Sequence, residues 1–271
     1  MKVKALYIYP IKSLGGIAVS SANTQERGFE YDRRWMLVDE KGKFQTQREL
    51  VDLCHFIPNL SDEGISVTDR RDQQTIHIPI QPLEEQIPVN IWGEEVMGSL
   101  VSKEVDQWFS QQLKKKVQLV YMDQTSHRPL EENDHIKEDT TVSFADGFPY
   151  LILGSASIKD LDQRIPSQSI QAERFRPNII IDTEQAFEED LWLDITIGDI
   201  AFKTPKPCAR CVVTTIDPDN GEKGKEPLLT LSTYRKLGNK ILVGENAVAT
   251  TFGKIRVGDT VVVMTEKEGY F

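Results

Sequence analysis

The chain is short of cysteine and of long apolar runs. Only three cysteines, Cys54, Cys208 and Cys211, occur among 271 residues, and this odd, sparse set excludes the disulfide framework of a small secreted domain. No apolar run approaches the ~18 residues that a membrane helix needs. Low-complexity tracts are also missing, and 39% of the residues are apolar, which is enough for a core. We expect a globular protein with reduced thiols.

Targeting signals and positive charge are scarce as well. Met1–Pro10 leads directly into an alternating apolar segment, with neither a secretory apolar region nor an Arg-rich transit peptide, so we expect a cytoplasmic protein. Lys and Arg together number 32 against 42 acidic residues, a net charge of −10. This balance argues against general binding to nucleic acid or to an anionic membrane. An anionic ligand therefore requires a local basic pocket.

Strand signals dominate the chain. Short β-branched runs bounded by turn residues recur from end to end, among them Val3–Tyr9, Tyr150–Leu153 and Val212–Ile216. The similar segments 195–203 and 255–264 each read as strand, Gly-Asp turn, strand, a corner that small barrels use. Helical periodicity is confined to three segments, which are Val101–Leu113 with Ser102 as its cap, Ser155–Ile165 and Pro227–Leu237.

A polar stretch with few apolar anchors, Met122–Phe148, separates two strand-rich regions. We place a domain boundary near residues 120–140, which predicts domains at 1–120 and 121–271. The second has enough strands for a β-barrel, and the first looks like a smaller barrel-like or α+β unit. The predicted fold class is mainly β with α+β elements.

The strongest chemical signal is the cysteine pair in Lys206-Pro207-Cys208-Ala209-Arg210-Cys211. A zinc site needs about four ligands, and the remaining candidates, Cys54 and the four histidines at 55, 77, 127 and 135, do not occur at paired spacing. A thioredoxin-like dithiol opens a helix, whereas this pair precedes a β-branched run. Two interpretations stay open, a single thiolate offered to a soft metal and a buried, inert cysteine.

Two further segments could bind an anion. The turn Tyr9–Gly16 offers an ammonium at Lys12, a hydroxyl at Ser13 and two glycines, although a solvated loop is the simpler interpretation. Arg33 and Arg176 each precede an apolar strand, where a guanidinium needs a carboxylate or an anionic ligand as its partner. Nearby acidic residues leave a structural ion pair equally open.

Taken together, these segments resemble the MOSC family, in the branch where an N-terminal MOSC-associated β-barrel domain precedes the MOSC domain, as in the amidoxime reducing components and their bacterial relatives. The resemblance covers nearly the whole chain. Its landmarks occur in order: Tyr9-Pro10-Ile11-Lys12-Ser13, Asp32-Arg33, Pro149–Leu153, Phe175-Arg176-Pro177-Asn178, Cys208–Cys211, Thr214–Gly221 and Val257-Gly258-Asp259. The order and spacing of these landmarks are highly specific.

The resemblance implies a molybdenum atom held by a pterin dithiolene, with Cys211 as protein ligand and catalytic residue and Cys208 as a structural residue. It places the cofactor against Lys12, Ser13, Arg33, Arg176, Asn178, Ala209, Arg210 and Cys211. Two departures from the animal relatives matter. Gly147-Phe148 stands where they resemble Thr-Ser, and Ala209 replaces a serine, so hydroxyl contacts cannot be carried over at either place.

The implied reaction is the reduction of N-hydroxylated compounds, namely amidoximes, hydroxylamines or N-hydroxylated nucleobases. The chain lacks four cysteines for an iron–sulfur cluster, so the resemblance implies a separate electron donor, a flavoprotein reductase or a ferredoxin- or cytochrome-like protein. It also carries associations with detoxification and pyridoxal phosphate binding. The alternative is a molybdenum-cofactor or sulfur carrier, because a MOSC domain also ends the molybdenum cofactor sulfurases. No general acid is identifiable among Asp217, Asp219 and His127.

Overall fold

A computed structural model describes residues 1–61, 64–80, 82–130, 136, 140–165 and 169–271. The strands in these ranges are β1 (Lys2–Ile8), β2 (Ile17–Val19), β3 (Ser21–Gln25), β4 (Gly28–Phe29), β5 (Trp35–Val38), β6 (Phe56–Ser61), β7 (Gly64–Asp69), β8 (Thr75–Ile78), β9 (Gln86–Ile91), β10 (Glu94–Leu100), β11 (Gln118–Tyr121), β12 (Tyr150–Gly154), β13 (Ile179–Asp182), β14 (Trp192–Ile197), β15 (Ile200–Ala209), β16 (Lys236–Leu237), β17 (Lys240–Ala249), β18 (Lys254–Arg256) and β19 (Val261–Glu266). The helices are α1 (Lys103–Leu113), α2 (Ser155–Arg164) and α3 (Leu228–Leu231), and 3₁₀ turns occupy Val51–His55, Ala172–Phe175, Glu188–Leu191 and Val212–Thr215. The fold is mainly β, as predicted.

The largest sheet runs in the order β19-β14-β15-β17-β12-β13-β1-β2, with β16 added to β17. The two ends of this strand order are joined by hydrogen bonds between β1 and the start of β19. Val3 donates its N–H to Asp259 O at 2.9 Å, and Val261 donates its N–H to Met1 O at 3.0 Å. The sheet therefore curls into a barrel around a buried apolar cluster that includes Leu6, Ile152 and Phe202. The first strand of the chain is thus part of the barrel formed by the last ones.

Three smaller sheets complete the fold. Their orders are β5-β11-β10-β9, β6-β7-β8 and β18-β3-β4. Helix α1 buries Val105, Phe109 and Leu113 in an apolar cluster that it shares with β6 and β7. Since β3 pairs with β18, a second sheet also joins the two ends of the chain.

Several sequence predictions are confirmed. Helix α1 covers the predicted segment, and its cap Ser102 accepts a hydrogen bond from Glu104 N at 3.2 Å. Helix α2 matches the prediction at Ser155–Ile165. The first Gly-Asp segment is a hairpin of β14 and β15 with Gly198 at φ 56°. In the second segment β18 and β19 lie in different sheets, so that turn is a corner between sheets.

Two predictions are wrong. The strand predicted at Val212–Ile216 is a 3₁₀ turn, in which the Thr214 and Thr215 hydroxyls donate to Cys211 O at 2.9 Å and Val212 O at 2.7 Å. These local bonds replace a strand ladder. The helix predicted at Pro227–Leu237 stops at Leu231, because the chain must turn back for Lys236 and Leu237 to pair with β17.

The division into domains at 1–120 and 121–271 stays a prediction. Part of its proposed boundary, residues 131–135 and 137–139, lies outside the described residues, and so does His135. Among the helices of the described ranges, none has the length and apolar content needed to cross a membrane.

Candidate active site

A cavity of about 190 Å³ opens at one end of the barrel. Its walls come from the turn after β1, the loop before β12, the segment before β13 and the end of β15. Every residue that the sequence analysis assigned to cofactor binding lines it, and these are Lys12, Ser13, Arg33, Arg176, Asn178, Ala209, Arg210 and Cys211. The fold therefore collects around one cavity side chains that are up to 199 positions apart in the sequence.

Backbone hydrogen bonds position the two N-terminal cations. The Lys12 N–H donates to Trp35 O at 2.8 Å, and the Arg33 N–H donates to Tyr9 O at 2.8 Å. Residues 9–12 and 33–35 therefore run side by side beyond the end of β1. This pairing brings Lys12 and Arg33 to the same wall of the cavity.

Unusual backbone conformations concentrate at this cavity. Eight non-glycine residues of the described chain have a positive φ, and four of them line the cavity, namely Ser13 at 69°, Arg33 at 49°, Trp92 at 57° and Arg176 at 55°. The left-handed region costs a non-glycine residue roughly 1–2 kcal/mol. Such strain persists where surrounding contacts hold it, and it is typical of functional sites.

A buried carboxylate holds Arg33 in place. Asp32 is fully buried and accepts hydrogen bonds from Arg33 Nη1 at 2.6 Å, Tyr9 N at 2.8 Å and Asn178 Nδ2 at 3.1 Å. Burial raises the pKa of Asp32, and the Arg33 guanidinium opposes this shift. Asn178 Oδ1 accepts a further bond from Arg33 Nη1 at 3.0 Å. This network fixes the guanidinium at the cavity wall.

Arg176 faces the cavity with spare donor capacity. Its guanidinium carbon and that of Arg33 each lie 4.3 Å from the centroid of the Tyr9 ring. Nη1 donates to Leu14 O at 2.6 Å, whereas the buried Nη2 has no hydrogen-bond partner in the described chain. Burial, together with the neighbouring Arg33 charge, lowers the pKa of Arg176 to about 10. A bound anion would relieve this repulsion.

Lys12 and Asp146 form an ion pair at the cavity wall. The ammonium of Lys12, a buried residue, lies 2.5 Å from Asp146 Oδ1 and donates to Phe144 O at 2.7 Å. Burial lowers the pKa of Lys12, although Asp146 opposes the shift. Desolvation acts to raise the pKa of Asp146, but the Lys12 charge outweighs it and the pKa falls below its usual range. Asp146 is therefore ionised at neutral pH.

The two thiols of the cysteine pair have different surroundings. Arg210 Nη1 lies 2.8 Å from Cys208 Sγ, and burial raises the pKa of the Cys208 thiol while Arg210 opposes the shift. Cys211 immediately precedes the 3₁₀ turn at Val212–Thr215, and both thiols are partly exposed and line the cavity. In the described ranges, no cluster of three or more His, Cys, Asp or Glu side chains could hold a metal ion.

Family models match both parts of the chain. The model for the MOSC N-terminal beta barrel domain matches residues 1–116, and the model for the MOSC domain matches residues 139–262. The chain belongs to the MOSC family. Within the MOSC match lie Arg176, Asn178 and the cysteine pair, and within the N-terminal match lie Lys12 and Arg33.

Curated relatives of this MOSC protein extend over nearly its whole length. Mitochondrial amidoxime-reducing component 1 of Mus musculus is 32% identical over 97% of this chain and 82% of the relative. The protein of the same name from Homo sapiens is 31% identical with the same coverage. Molybdenum cofactor sulfurase of Oryza sativa subsp. japonica is 28% identical over 89% of this chain, which spans only 32% of that relative.

The cavity of the MOSC protein also contains residues that sequence reasoning missed, including Arg48, Trp92, Asp146 and Arg174. Trp92 Nε1 donates to Asp146 Oδ1 at 3.1 Å, and the Arg48 guanidinium lies over the Trp92 ring at 4.4 Å. Arg174 is buried and pairs with Asp217 at 2.6 Å. Arg48, Trp92 and Asp146 lie outside the motifs found in the sequence, whereas Arg174 lies in the 3₁₀ turn directly before the landmark that begins at Phe175, and this neighbour was a usable signal.

The three groups left open as proton donors lie elsewhere. Asp217 is held by Arg174, Asp219 pairs with Arg70 at 3.3 Å, and His127 is exposed. None of the three is among the cavity-lining residues.

Proposed function

We propose that this MOSC protein is a molybdenum-cofactor-dependent oxidoreductase that reduces N-hydroxylated compounds, among them amidoximes, hydroxylamines and N-hydroxylated nucleobases. In this proposal the Cys211 thiolate is the protein ligand of the metal and the catalytic residue. The observation that carries the proposal is one cavity in an acidic protein that is lined both by that thiol and by Lys12, Arg33 and Arg176. The names of the animal relatives agree with it.

The residues present fit such a group. Three arginines that line the cavity, Arg174, Arg176 and Arg210, each keep one buried guanidinium nitrogen without a hydrogen-bond partner in the described chain. A buried donor left unpaired costs about 1–3 kcal/mol, so phosphate or pterin acceptors would satisfy a need that the protein leaves open. A thiolate is the ligand that soft metals prefer. The donor set therefore matches an anionic, sulfur-ligated cofactor.

The bound cofactor supplies the two-electron redox chemistry. In the overall reaction the substrate takes up two electrons and two protons, its N–O bond breaks, and water leaves. Arg33, Arg176 and Asn178 bind and orient the anionic group, and Ser13, Ala209 and Arg210 complete its contacts. At the wall, Lys12 pairs with Asp146, whose lowered pKa leaves the carboxylate without a proton to donate at neutral pH. We assign no general acid.

The electrons are proposed to come from a separate flavoprotein reductase or a ferredoxin- or cytochrome-like protein. The cytoplasmic location, a role in detoxification and pyridoxal phosphate binding stay predictions. The alternative is a protein that carries molybdenum cofactor or sulfur and has no reductase activity. Similarity to the rice sulfurase supports this alternative, so the experiment must distinguish the two.

The test is elemental analysis of protein produced with an intact molybdenum-cofactor pathway, followed by benzamidoxime reduction with reduced methyl viologen. We expect about one molybdenum per chain in wild type and in Cys208→Ser, and loss of both metal and turnover in Cys211→Ser. Equal metal loss in both variants would overturn the ligand assignment. Stoichiometric metal without turnover would support the carrier instead.

A further inference from the structure

Three exposed apolar side chains and four exposed lysines lie on the segments next to Cys211. Val212, Leu229 and Leu237 are exposed by 49%, 55% and 50%. Four exposed lysines lie on the same segments, which the bridge of Lys223 to Ile216 and the pairing of β16 with β17 connect to Cys211, and these are Lys223, Lys225, Lys236 and Lys240. We call these seven residues the lysine-rich surface. Within the described chain, no ion pair or side-chain hydrogen bond occupies any of the four ammonium groups.

The lysine-rich surface is built on the backbone neighbours of Cys211. Val212 follows Cys211 directly, and the bridge between Ile216 and Lys223 returns the next loop to the same 3₁₀ turn. Helix α3, which carries Leu229, packs against that turn. On the other side, Arg210 N donates to Ile241 O at 2.8 Å, next to the pairing of β16 with β17. The surface therefore adjoins the wall that presents the thiol.

The charge of this surface is opposite to that of the molecule. The stretch from Glu222 to Lys240 contains five basic residues and two acidic ones, whereas the whole chain carries −10. Of the five, only Arg235 is buried, against Asp190 at 2.5 Å. The Glu226 carboxylate is engaged by Thr230 N and Oγ1, both at 3.0 Å. The net charge of this stretch is therefore +3, opposite in sign to the net charge of the whole chain.

We propose that the lysine-rich surface docks an acidic electron-transfer protein, which delivers electrons to the site beside Cys211. The proposal rests on the proposed oxidoreductase function and adds the place and the charge of the contact. An apolar centre within a polar, charged rim is the usual anatomy of a protein interface, and unpaired charges speed the encounter with an oppositely charged partner. A one-electron carrier must dock twice for each N–O bond that is reduced.

The experiment uses spinach-type [2Fe–2S] ferredoxin, a small acidic one-electron carrier, as the probe. Its dissociation constant is measured by calorimetry with the oxidised ferredoxin, and the rate of benzamidoxime reduction is measured with the reduced one, both at low and high salt. The test variant is Lys223→Glu/Lys225→Glu. The control is Lys103→Glu/Lys254→Glu, which changes the net charge equally at exposed lysines on α1 and β18.

We expect the test variant to bind ferredoxin at least 10-fold more weakly at low salt and to lose its salt dependence, with the control within 3-fold of wild type. Turnover with methyl viologen should be unchanged in both. Equal weakening in the two variants, or wild-type binding that strengthens with salt, would overturn the docking surface. Failure of turnover with methyl viologen in wild type would instead reject the proposed function, and the binding measurements would still decide the docking surface.

Discussion

Replacing the buried Asp32 by alanine should cost the protein about 4 kcal/mol in free energy of unfolding. The carboxylate is fully buried and is bound by Arg33 Nη1 at 2.6 Å and Tyr9 N at 2.8 Å. Breaking one side of a buried pair costs roughly 3–5 kcal/mol. An unpaired Tyr9 N–H adds about 1–3 kcal/mol, while the Arg33 bonds to Asn178 Oδ1 and Arg176 O offset part of the loss.

Urea unfolding followed by circular dichroism measures the effect, and Glu40→Ala is the control. Glu40 pairs with Lys116 at 3.0 Å, but its side chain is 69% exposed, and exposed pairs contribute about 0–1 kcal/mol. Asp32→Asn keeps an oxygen for Tyr9 N and should fall between the two. If Asp32→Ala loses no more stability than Glu40→Ala, the bonds of the Asp32 carboxylate to Arg33 and Tyr9 do not stabilise the fold as we infer.

Two further substitutions test the buried carboxyl group of Glu189 and the packing around Tyr9. Burial raises the pKa of Glu189 to about 6, so the folded state keeps a proton that the unfolded state releases above about 4.5, and stability falls as pH rises between these values. Relative to wild type, Glu189→Gln should therefore gain about 2 kcal/mol in free energy of unfolding between pH 4.5 and 7; a difference that stays constant with pH would contradict this. In Gly16→Ala the new Cβ would lie 2.5 Å from the Tyr9 ring, which contacts both cavity arginines, so molybdenum content should drop. Gly224→Ala, whose Cβ would meet no atom closer than 3.7 Å and which does not line the cavity, should retain it, and equal content in both would refute the role of Tyr9.

The sequence was most informative where a motif is compact. Lys12 with Ser13, and Cys208 with Cys211, occupy continuous segments, and the residues predicted to bind the cofactor all line one cavity. The mainly β class followed from β-branched runs, whose two-residue period is local. Such local patterns can be recognised without knowledge of the tertiary structure.

Contacts between distant segments were beyond reach. Nothing local predicts that Arg174 meets Asp217 or that Trp92 meets Asp146, since 43 and 54 residues separate the partners. At Val212–Ile216 the β-branched composition favoured a strand, but threonine hydroxyls bonded the backbone and produced a 3₁₀ turn. Strand propensity gave the wrong prediction there because the competing bonds from the threonine hydroxyls form only in one particular backbone conformation.

The position of β1 between β2 and β13 constrains the order of events on the ribosome. The strand emerges first, yet its barrel partner at Ile179–Asp182 is translated much later. Lys12 and Arg33 are therefore synthesised well before the opposite wall of the cavity, which contains Cys211. Assembly of the cavity is therefore a late event in the folding of the chain, because its walls come from segments that lie far apart in the sequence.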